Sequence, residues 1–433
     1  MKKTLVLLCM VLVAAGFVFS AGEQEESAAE EGPVELVYWS HYGQSPPFVH
    51  AFAETANALL PQLGYENVTC RAEVIEYQGF EVKYLSAFAS GKGPDVFCGM
   101  APTWAGDGGK HEVAVQLPDE VAEVWDEKLA GYLAEWGTFD GKRYGFAAEG
   151  IIQMLYINVD HFREAGLDPD NPPETVEEFI AAAEKLTKKD SSGNITRAGY
   201  APRHVGHGFG VADKFMPILH IFGGRMLSPD LSKAEGYINS PESVEAFQFY
   251  HDLVHTYEVV NLDYGKPEPT FQQGLTSMIF REGWFGADTK KNAPNINFKV
   301  VPYIAEKKSY APGNLLPWAN MISKNSKHQQ ICFDLFEAMA TPEADVMLHE
   351  PAGYPPILKE TYSMDNDYFS SLSYARALMD SLEKPVGPSY FFPEIHDVAY
   401  IVGEEIVACL HGEDAQACAD RAARRIDEVL EGM

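Results

Sequence analysis

One pair of histidines in this chain has a spacing that metal enzymes use. In the segment HDLVH, His251 and His255 lie one helical turn apart, so both side chains leave the same face of a helix. Zinc proteases combine this spacing with a glutamate directly after the first histidine, whereas this chain has the shorter Asp252 there. The segment lacks a distal third ligand and carries Phe247 and Leu253, as an amphipathic helix with surface histidines does. We therefore expect neither a metal ion here nor a cofactor elsewhere in the chain.

The other motifs that could support chemistry are less specific. The turn GKGPD, from Gly91 to Asp95, lacks the spacing and the lysine–hydroxyl ending of a phosphate-binding loop. His204 and His207 could be metal ligands, but the glycines beside them favour a mobile loop. No GxSxG motif is present, and carboxylates are too numerous for one pair to stand out as glycosidase residues. The sequence favours a protein that is not an enzyme; a secreted glycoside-active or metal-dependent hydrolase is the alternative from another functional class.

Large aromatic residues lie at predicted strand ends or in loops, beside Gly, Pro, Ser and Asn. They are Trp39, Tyr42, Trp104, Trp284, Trp318 and Tyr354. An aromatic ring stacks on the apolar face of a pyranose, while polar groups of the neighbouring loop bind the sugar hydroxyls. Each residue alone could equally belong to a hydrophobic core, but together they favour a cleft that binds a ligand.

The elements that must position these residues alternate between strands and helices. The sequence predicts strands at Val34–Trp39, Val68–Ile75, Asp95–Cys98, Tyr144–Ala147 and Met154–Asn158, and helices at Phe48–Leu60, Phe80–Ala89 and Val176–Thr187. Such alternation predicts a parallel sheet that is covered by helices.

Residues that cap helices mark three further boundaries. Thr175 precedes a helix that has Glu178 at the capping-box position, and Ser240 and Thr341 each precede a proline that opens a helix. The segment from about Tyr390 onward also has a helical pattern. No long linker separates autonomous domains, so a chain that forms two lobes must cross between them several times.

Length and charge limit the function classes. The chain has 433 residues, too many for one compact core and well suited to two lobes. Its formal net charge is -30, which repels phosphate backbones and anionic lipid and therefore argues against nucleic-acid binding.

The N-terminus predicts export. Lys2 and Lys3 precede an apolar run from Leu5 to Phe19, and small residues follow, so residues 1–20 form a signal peptide with cleavage before Ala21. Residues 21–33 are small and acidic and are expected to form a flexible leader. These features predict a periplasmic protein.

The cysteines raise two questions of modification. Lipid attachment at Cys9 is disfavoured because Leu7 and Leu8 precede it where small residues are needed. The other five cysteines are Cys70, Cys98, Cys332, Cys409 and Cys418, an odd number that leaves at least one free thiol or an intermolecular bond. Cys409 and Cys418 flank a turn at Gly412 and are the predicted disulfide pair.

From Val34 to the C-terminus the chain resembles the extracellular solute-binding proteins of the sugar class, the maltose-binding type. The segments that carry the resemblance occur in the family's order: LSAFASGKGPDVF, DGKRYGF, LYINVDHFREAGLD, PPETVEEFIAAAEKLT, FGGRM, SPESVEAFQFYHDL, FQQGLTSMIFREGWF and SKNSKHQQICFDLFEAMATPEA. The chain departs from the family at Ala147, where a proline is usual, and at Val176, where a tryptophan is usual.

The resemblance implies an α/β fold with two lobes, the periplasmic-binding-protein fold of type II-like arrangement, with three hinge crossings and a ligand cleft between the lobes. The expected N-terminal lobe comprises residues 33–146 and 301–352, and the C-terminal lobe comprises residues 147–300 and 353–433. The family implies a monomeric receptor without catalysis that captures a sugar by lobe closure. It delivers the sugar to the membrane permease subunits of an ABC transporter.

The resemblance also places the ligand-binding residues. Trp284 falls on the family's sugar-stacking tryptophan, beside Arg281 in FREGWF. The other expected positions are Trp39, Ser40, His41 and Tyr42 at the end of the first strand, Glu149 and Gly150 after the hinge crossing, Asp213 upstream of FGGRM, Trp318 and Asn320 on the returning strand, and the aromatic Tyr354. A polyamine, a polyol, an anion or another small solute is the alternative ligand, and a polyamine would need carboxylates such as Glu149, Asp107 and Asp213.

Overall fold

The computed structural model describes residues 32–42, 45–150, 152–309, 317–385, 387–388 and 390–432. The predicted signal peptide at 1–20, Cys9 and all of the leader except residues 32 and 33 lie outside the described residues.

Twelve strands are described. They are β1 Val34–Ser40, β2 Val68–Val74, β3 Val96–Met100, β4 Thr138–Phe139, β5 Lys142–Arg143, β6 Gly145–Ala147, β7 Gln153–Asn158, β8 Lys188–Lys189, β9 Ile195–Tyr200, β10 Thr276–Glu282, β11 Phe298–Val301 and β12 Trp318–Ile322.

Helices connect and cover these strands. They are α1 Pro46–Leu59, α2 Phe80–Ala89, α3 Ala101–Trp104, α4 Asp119–Lys128, α5 Val159–Glu164, α6 Val176–Leu186, α7 Gly208–Ile221, α8 Pro241–His255, α9 Pro267–Gln272, α10 Trp284–Asn292, α11 Gln329–Ala338, α12 Pro342–His349, α13 Asp367–Ser371, α14 Ala375–Leu382, α15 Ile395–Leu410 and α16 Ala415–Leu430. No helix in the described part of the chain has the length and apolar character needed to span a membrane.

The first sheet has the strand order β2-β1-β3-β12-β6. Strand β1 runs parallel to both β2 and β3, whereas β12 runs antiparallel to β3 and β6. Helices α1, α2, α4, α11 and α12 pack with this sheet or with one another, and we call this unit the first lobe.

The second sheet has the order β11-β7-β10-β9-β8. Strand β10 pairs antiparallel with β7 and parallel with β9. Helices α6, α7, α8, α15 and α16 pack on this sheet or on one another, and we call this unit the second lobe. The two sheets and their covering helices form the mixed α/β structure with two lobes that the sequence predicted.

The chain passes between the two sheets repeatedly. It leaves the first sheet after β6 and enters the second at β7, returns between β11 and β12, and passes back after α12 to the α13–α14 segment, which packs against Tyr156 and Phe285. The residue boundaries predicted for the two lobes remain a prediction.

Local sequence signals account for where the helices begin. The Thr175 side chain accepts a hydrogen bond from the Glu178 backbone, and the Glu178 side chain accepts one from the Thr175 backbone, so the predicted capping box is confirmed. Ser240 and Thr341 likewise accept hydrogen bonds from backbone N–H groups three residues on. Each cap satisfies a donor that would otherwise lack a partner at the helix start.

The predicted disulfide is not present. Cys409 on α15 and Cys418 on α16 are both free, buried thiols. The two helices pack side by side, and the thiol of Cys409 lies 3.3 Å from the Phe247 carbonyl oxygen. Burial raises the pKa of both thiols, which disfavours the reactive thiolate. The two cysteines are neighbours, as the short turn between them predicted, but both are thiols.

Candidate functional site

An aromatic cluster lies where the end of β1 meets the second lobe. The ring of His41 lies 3.9 Å from that of Trp318 and 4.7 Å from those of Tyr42 and Phe80, measured between ring centroids. Burial lowers the pKa of His41 to about 3, so its imidazole is neutral at physiological pH. These rings form an apolar wall with few charges, as a stacking surface for a ligand requires.

Glu149 lies on the passage from β6 to β7, next to this wall. Its side chain is buried, with the residue 1% exposed, and its Oε2 atom has no hydrogen-bond partner among the described residues. Burial raises the pKa of Glu149 to about 8; the Tyr42 hydroxyl lowers it and the Glu282 carboxylate raises it. A buried carboxyl oxygen without a hydrogen-bond donor needs a ligand or a proton to compensate its lost hydration.

The backbone at Gly150 is fixed by two tyrosines. Its carbonyl oxygen accepts hydrogen bonds from the hydroxyls of Tyr132 and Tyr362, the latter at 3.3 Å. A Cβ atom at Gly150 would lie 2.5 Å from the Pro356 carbonyl oxygen, so a larger residue cannot fit without a backbone shift. Gly150 therefore holds the position of Glu149.

A buried ionic network faces Glu149 from the second lobe. It consists of Asp213, Lys214, Glu268, Arg281 and Glu282. The ammonium group of Lys214 contacts the carboxylates of both Asp213 and Glu282. The guanidinium of Arg281 lies 2.5 Å from a Glu268 oxygen and 3.4 Å from a Glu282 oxygen. Although burial alone raises the pKa of Glu282, Arg281 and Lys214 hold it well below its usual range.

Trp284 begins α10 beside this network. Its indole N–H donates a hydrogen bond of 3.1 Å to Glu282 Oε2, and the Arg281 guanidinium lies 5.0 Å above its ring. The residue is only partly buried. Its ring is thus oriented by two charged neighbours and keeps some of its surface available to a ligand.

Tyr354 lies on the side of the site that the first lobe forms. Its ring lies 6.3 Å from that of Tyr42 and 4.6 Å from that of Phe48, and its hydroxyl has no hydrogen-bond partner of ordinary geometry among the described residues. Burial raises the pKa of Tyr354, the carboxylates of Glu149 and Glu282 raise it further and Arg281 lowers it, so the hydroxyl lies near both lobes.

Several buried polar atoms at this junction share one property, which is that no described protein group offers them a hydrogen bond of ordinary geometry. They are His41 Nδ1, Tyr42 OH, Glu149 Oε2, Gln153 Oε1, Arg281 Nε and Tyr354 OH. Native proteins leave few such groups unpaired, and each costs about 1–3 kcal/mol. Their convergence from both lobes indicates a site that a polar ligand completes.

Other expected site residues lie apart from this cluster. Trp39 packs under α2, with its ring 5.8 Å from that of Tyr84 and 4.9 Å from Lys83 Nζ. Asn320 accepts a hydrogen bond of 2.8 Å from the Tyr38 hydroxyl inside the first lobe. Trp104 is fully buried in the core of that lobe. The structure therefore does not bring these three side chains together with Glu149 and Trp284.

Asp107 and the candidate metal ligands also lie elsewhere. Asp107 is exposed and pairs with Lys142. His255 Nε2 lies 3.0 Å from the Leu410 carbonyl oxygen, and His204 contacts two backbone carbonyl oxygens. His207 caps α7 through its ring nitrogen. Within the described ranges, no group of three or more His, Cys, Asp or Glu side chains could hold a metal ion.

Residues that the sequence did not place between the lobes join the two lobes. Tyr77 of the first lobe stacks on His207 of the second, with 4.7 Å between ring centroids. Lys110 Nζ lies 2.7 Å from Asp397 Oδ2. His396, on α15, contacts Glu81 as well, so three pairs of side chains hold the lobes together in a closed arrangement.

Lys214 and Glu282 were also missed, although each is adjacent in sequence to a residue that was predicted. Their sequence neighbours Asp213 and Arg281 were expected at the site from the family resemblance. The only signal for Lys214 and Glu282 was the unusual occurrence of charges inside apolar segments, in VADKFM and MIFREGWF.

Residues 49–370 match the family model of the bacterial extracellular solute-binding proteins. The sn-glycerol-3-phosphate-binding periplasmic protein of Rhizobium meliloti is 23% identical and the match covers 95% of each chain. The cyclic alpha-maltosyl-1,6-maltose binding protein of Arthrobacter globiformis superposes with a TM-score of 0.75 at 21% identity, over 93% of this chain and 100% of that one. UgpB of Mycobacterium tuberculosis, in complex with glycerophosphocholine, superposes with a TM-score of 0.74 at 19% identity, over 93% of this chain and 99% of that one.

Proposed function

This chain belongs to the bacterial extracellular solute-binding proteins, and on that premise we propose that it captures a sugar, of one or more units, between its lobes. It then presents the sugar to the permease subunits of an ABC importer. The observation that carries the sugar assignment is the convergence of unpartnered polar atoms from both lobes on a wall of aromatic rings. Hydroxyls of a sugar pair with the polar atoms, and its apolar face stacks on the rings.

Lobe closure is the binding step. The polar atoms that would contact the sugar are buried, so the ligand can enter only when the lobes separate. Tyr42, Tyr354 and Glu149 lie on or next to the first lobe, whereas Gln153, Arg281 and Trp284 belong to the second. A ligand that contacts both sets binds the closed state more tightly and shifts the open–closed equilibrium towards it.

We propose a receptor without catalysis. The ionisable groups at the site are held in states that suit recognition, since Glu282 and Arg281 are paired and His41 is neutral. The protein is proposed to be exported by residues 1–20, to remain without lipid at Cys9, and to act as a periplasmic monomer that binds no nucleic acid.

A thermal-shift screen of mono- and oligosaccharides, polyols, polyamines and sn-glycerol-3-phosphate tests the proposal. A ligand at 100 times its dissociation constant stabilises the folded state by about 2.7 kcal/mol. We expect a sugar to raise the melting temperature and to be recovered unchanged after long incubation. Release of product from the same sugar would favour the hydrolase alternative, and stabilisation by no sugar would contradict the proposal.

A glycerol phosphate ester is the second candidate, favoured by the names of the relatives and by one side chain. Arg203 is only partly buried, and its guanidinium lies near Gly210 in the first turn of α7. Burial raises the pKa of Tyr77 and lowers that of His207, and the charge of Arg203 lowers both, so Arg203 lies at the contact between the lobes. Stabilisation by sn-glycerol-3-phosphate that is lost in Arg203→Met would support this candidate over a sugar.

A further inference from the structure

The site contains more carboxylates than cations. The carboxylates that line or face it are Glu149, Asp213, Glu268 and Glu282, and the cations in contact with them are Lys214 and Arg281. Arg203, at the contact between the lobes, adds a third positive charge near Glu268, so the carboxylates still outnumber the cations. Lys214 and Arg281 each contact two carboxylates already. Neither therefore has an uncompensated charge to offer a phosphate group.

Glu149 is the carboxylate at the site that neither cation of this network contacts. Among the described residues it forms no ion pair, and its Oε2 atom lacks a hydrogen-bond partner. It lies near the phenol groups of Tyr42, Tyr132 and Tyr354. A carboxylate among aromatic rings is the environment that favours an ammonium group, which gains both a charge partner and the attraction of the ring faces.

The remaining unpartnered atoms suit hydroxyl groups. Gln153 Oε1 accepts a hydrogen bond, Arg281 Nε donates one, and the Tyr354 hydroxyl can do either. One unpaired carboxylate among several neutral polar groups matches a ligand with one amine and several hydroxyls. Linear polyamines have no hydroxyls, and a neutral sugar offers the carboxylate no positive charge, so Glu149 would bind it only in the protonated form.

Resting on the function proposed above, we infer that the ligand is an amino sugar whose ammonium group is bound by the Glu149 carboxylate. Glu149 thus determines specificity within the sugar class. The aromatic wall and the network of the second lobe bind the rest of the molecule.

Binding of an ammonium group should release a proton. Burial raises the pKa of Glu149 to about 8, so without ligand the group is protonated near neutral pH, and a bound cation favours its ionised form. The titratable or charged groups that face it or the adjacent backbone are Tyr38, Tyr42, Cys98, Tyr132, Asp213, Lys214, Glu282, His349 and Tyr354. The tyrosines and Cys98 stay protonated because burial raises their pKa values, and Asp213, Lys214 and Glu282 are paired in the network.

His349 is the other neighbour whose protonation must be accounted for: burial lowers its pKa, but the Asp345 side chain and the carbonyl oxygens of Asp345 and Ala148 raise it above its ordinary value. A comparison of the wild type with Glu149→Gln removes this contribution, since His349 is present in both proteins.

Calorimetry with matched ligands tests the inference. D-glucosamine is compared with D-glucose and with N-acetyl-D-glucosamine, and the β-1,4-linked glucosamine disaccharide with cellobiose. The titrations are run near pH 6.5 in two buffers of different ionisation enthalpy. We expect at least one amine to bind about 10-fold or more tighter than its neutral counterparts, with release of close to one proton.

Glu149→Gln, which keeps the size and removes the charge, should weaken binding of the amine about 10- to 100-fold and abolish proton release. Binding of the neutral sugar should change by less than about 3-fold. Glu123→Gln, an exposed change on α4, is the matched control and should alter neither. The wild-type comparisons of ligands and buffers remain decisive if Glu149→Gln does not fold.

Two outcomes separate the inference from the function on which it rests. Neutral sugars that bind as tightly as their amines, or amines that bind without proton release, would overturn the inference and leave a sugar receptor. Binding of putrescine or sn-glycerol-3-phosphate with no binding of any sugar or amino sugar would overturn both.

Discussion

The imidazole of His396, on α15 of the second lobe, contacts the carboxylate of Glu81, on α2 of the first lobe. The same imidazole lies 6.3 Å from the ring of Trp318, measured between centroids, so this pair lies beside the aromatic wall of the site. The C-terminal helix pair thus reaches across the cleft, and its contact with α2 exists only while the lobes are closed.

Glu81→Gln should weaken the closed state, because it removes the charge that His396 contacts. We expect ligand affinity to fall about 3- to 10-fold and small-angle scattering without ligand to show a larger radius of gyration. Lys83→Gln is the control, since Lys83 lies on the same helix but contacts Trp39 within the first lobe. An unchanged affinity in Glu81→Gln would mean that the contact does not help to hold the lobes closed.

Trp284→Ala should reduce affinity much more than stability. Loss of a stacked ring costs binding about 2–4 kcal/mol, or roughly a 30- to 900-fold weaker dissociation constant. Because the ring is only partly buried, its removal should lower the free energy of unfolding by less than about 1.5 kcal/mol. Trp284→Phe, which keeps a ring and removes the donor to Glu282, separates stacking from the hydrogen bond. A large drop in melting temperature with normal affinity of the folded fraction would show that Trp284 is a core residue.

Stability should depend on pH through Glu149. The folded pKa, about 8, lies above the ordinary value of 4.5, so the folded state binds the proton more tightly than the unfolded state does. Its contribution is complete below about pH 4.5 and is lost as the pH rises towards 8, by at most about 1.4 kcal/mol per pH unit. Without ligand, the free energy of unfolding of Glu149→Gln relative to wild type should therefore rise across this window, as measured by urea denaturation. The relative stability of Glu123→Gln should stay flat, and a flat result for Glu149→Gln would contradict the raised pKa.

Lys214→Met should destabilise the second lobe. The change leaves the buried carboxylates of Asp213 and Glu282 without their shared ammonium partner, a loss that typically costs about 3–5 kcal/mol. Lys307→Met is the control, because Lys307 pairs with Glu245 on the surface. Its substitution should lower the free energy of unfolding by less than about 1 kcal/mol. Equal effects in chemical denaturation would argue against a buried network.

Cys409 and Cys418 should react with N-ethylmaleimide only after unfolding. Both thiols are buried, and burial raises their pKa values. Peptide mapping of protein unfolded without reductant should find both cysteines alkylated. A linked peptide containing both residues would instead establish the disulfide that the sequence suggested.

The sequence by itself determined the local structure and the family. The Thr175 capping box, the glycine turn before β3 and the alternation of strands and helices depend on residues a few positions apart. These features can therefore be predicted from the sequence alone. The proximity of Cys409 and Cys418 followed in the same way from a short turn. The ordered series of family segments extended these local signals to a two-lobed fold.

Only the tertiary structure decided which aromatic and charged residues meet. Trp39 and Trp318 both looked like cleft residues, but Trp39 packs under α2 and Trp318 faces His41 and His396. The difference depends on α15, which lies far along the chain from β1 and comes to it only when the lobes close. Glu149 acquires its raised pKa in the same way, because its burial results from packing of segments that are distant in sequence. Such contacts combine many weak long-range interactions, and no local pattern encodes them.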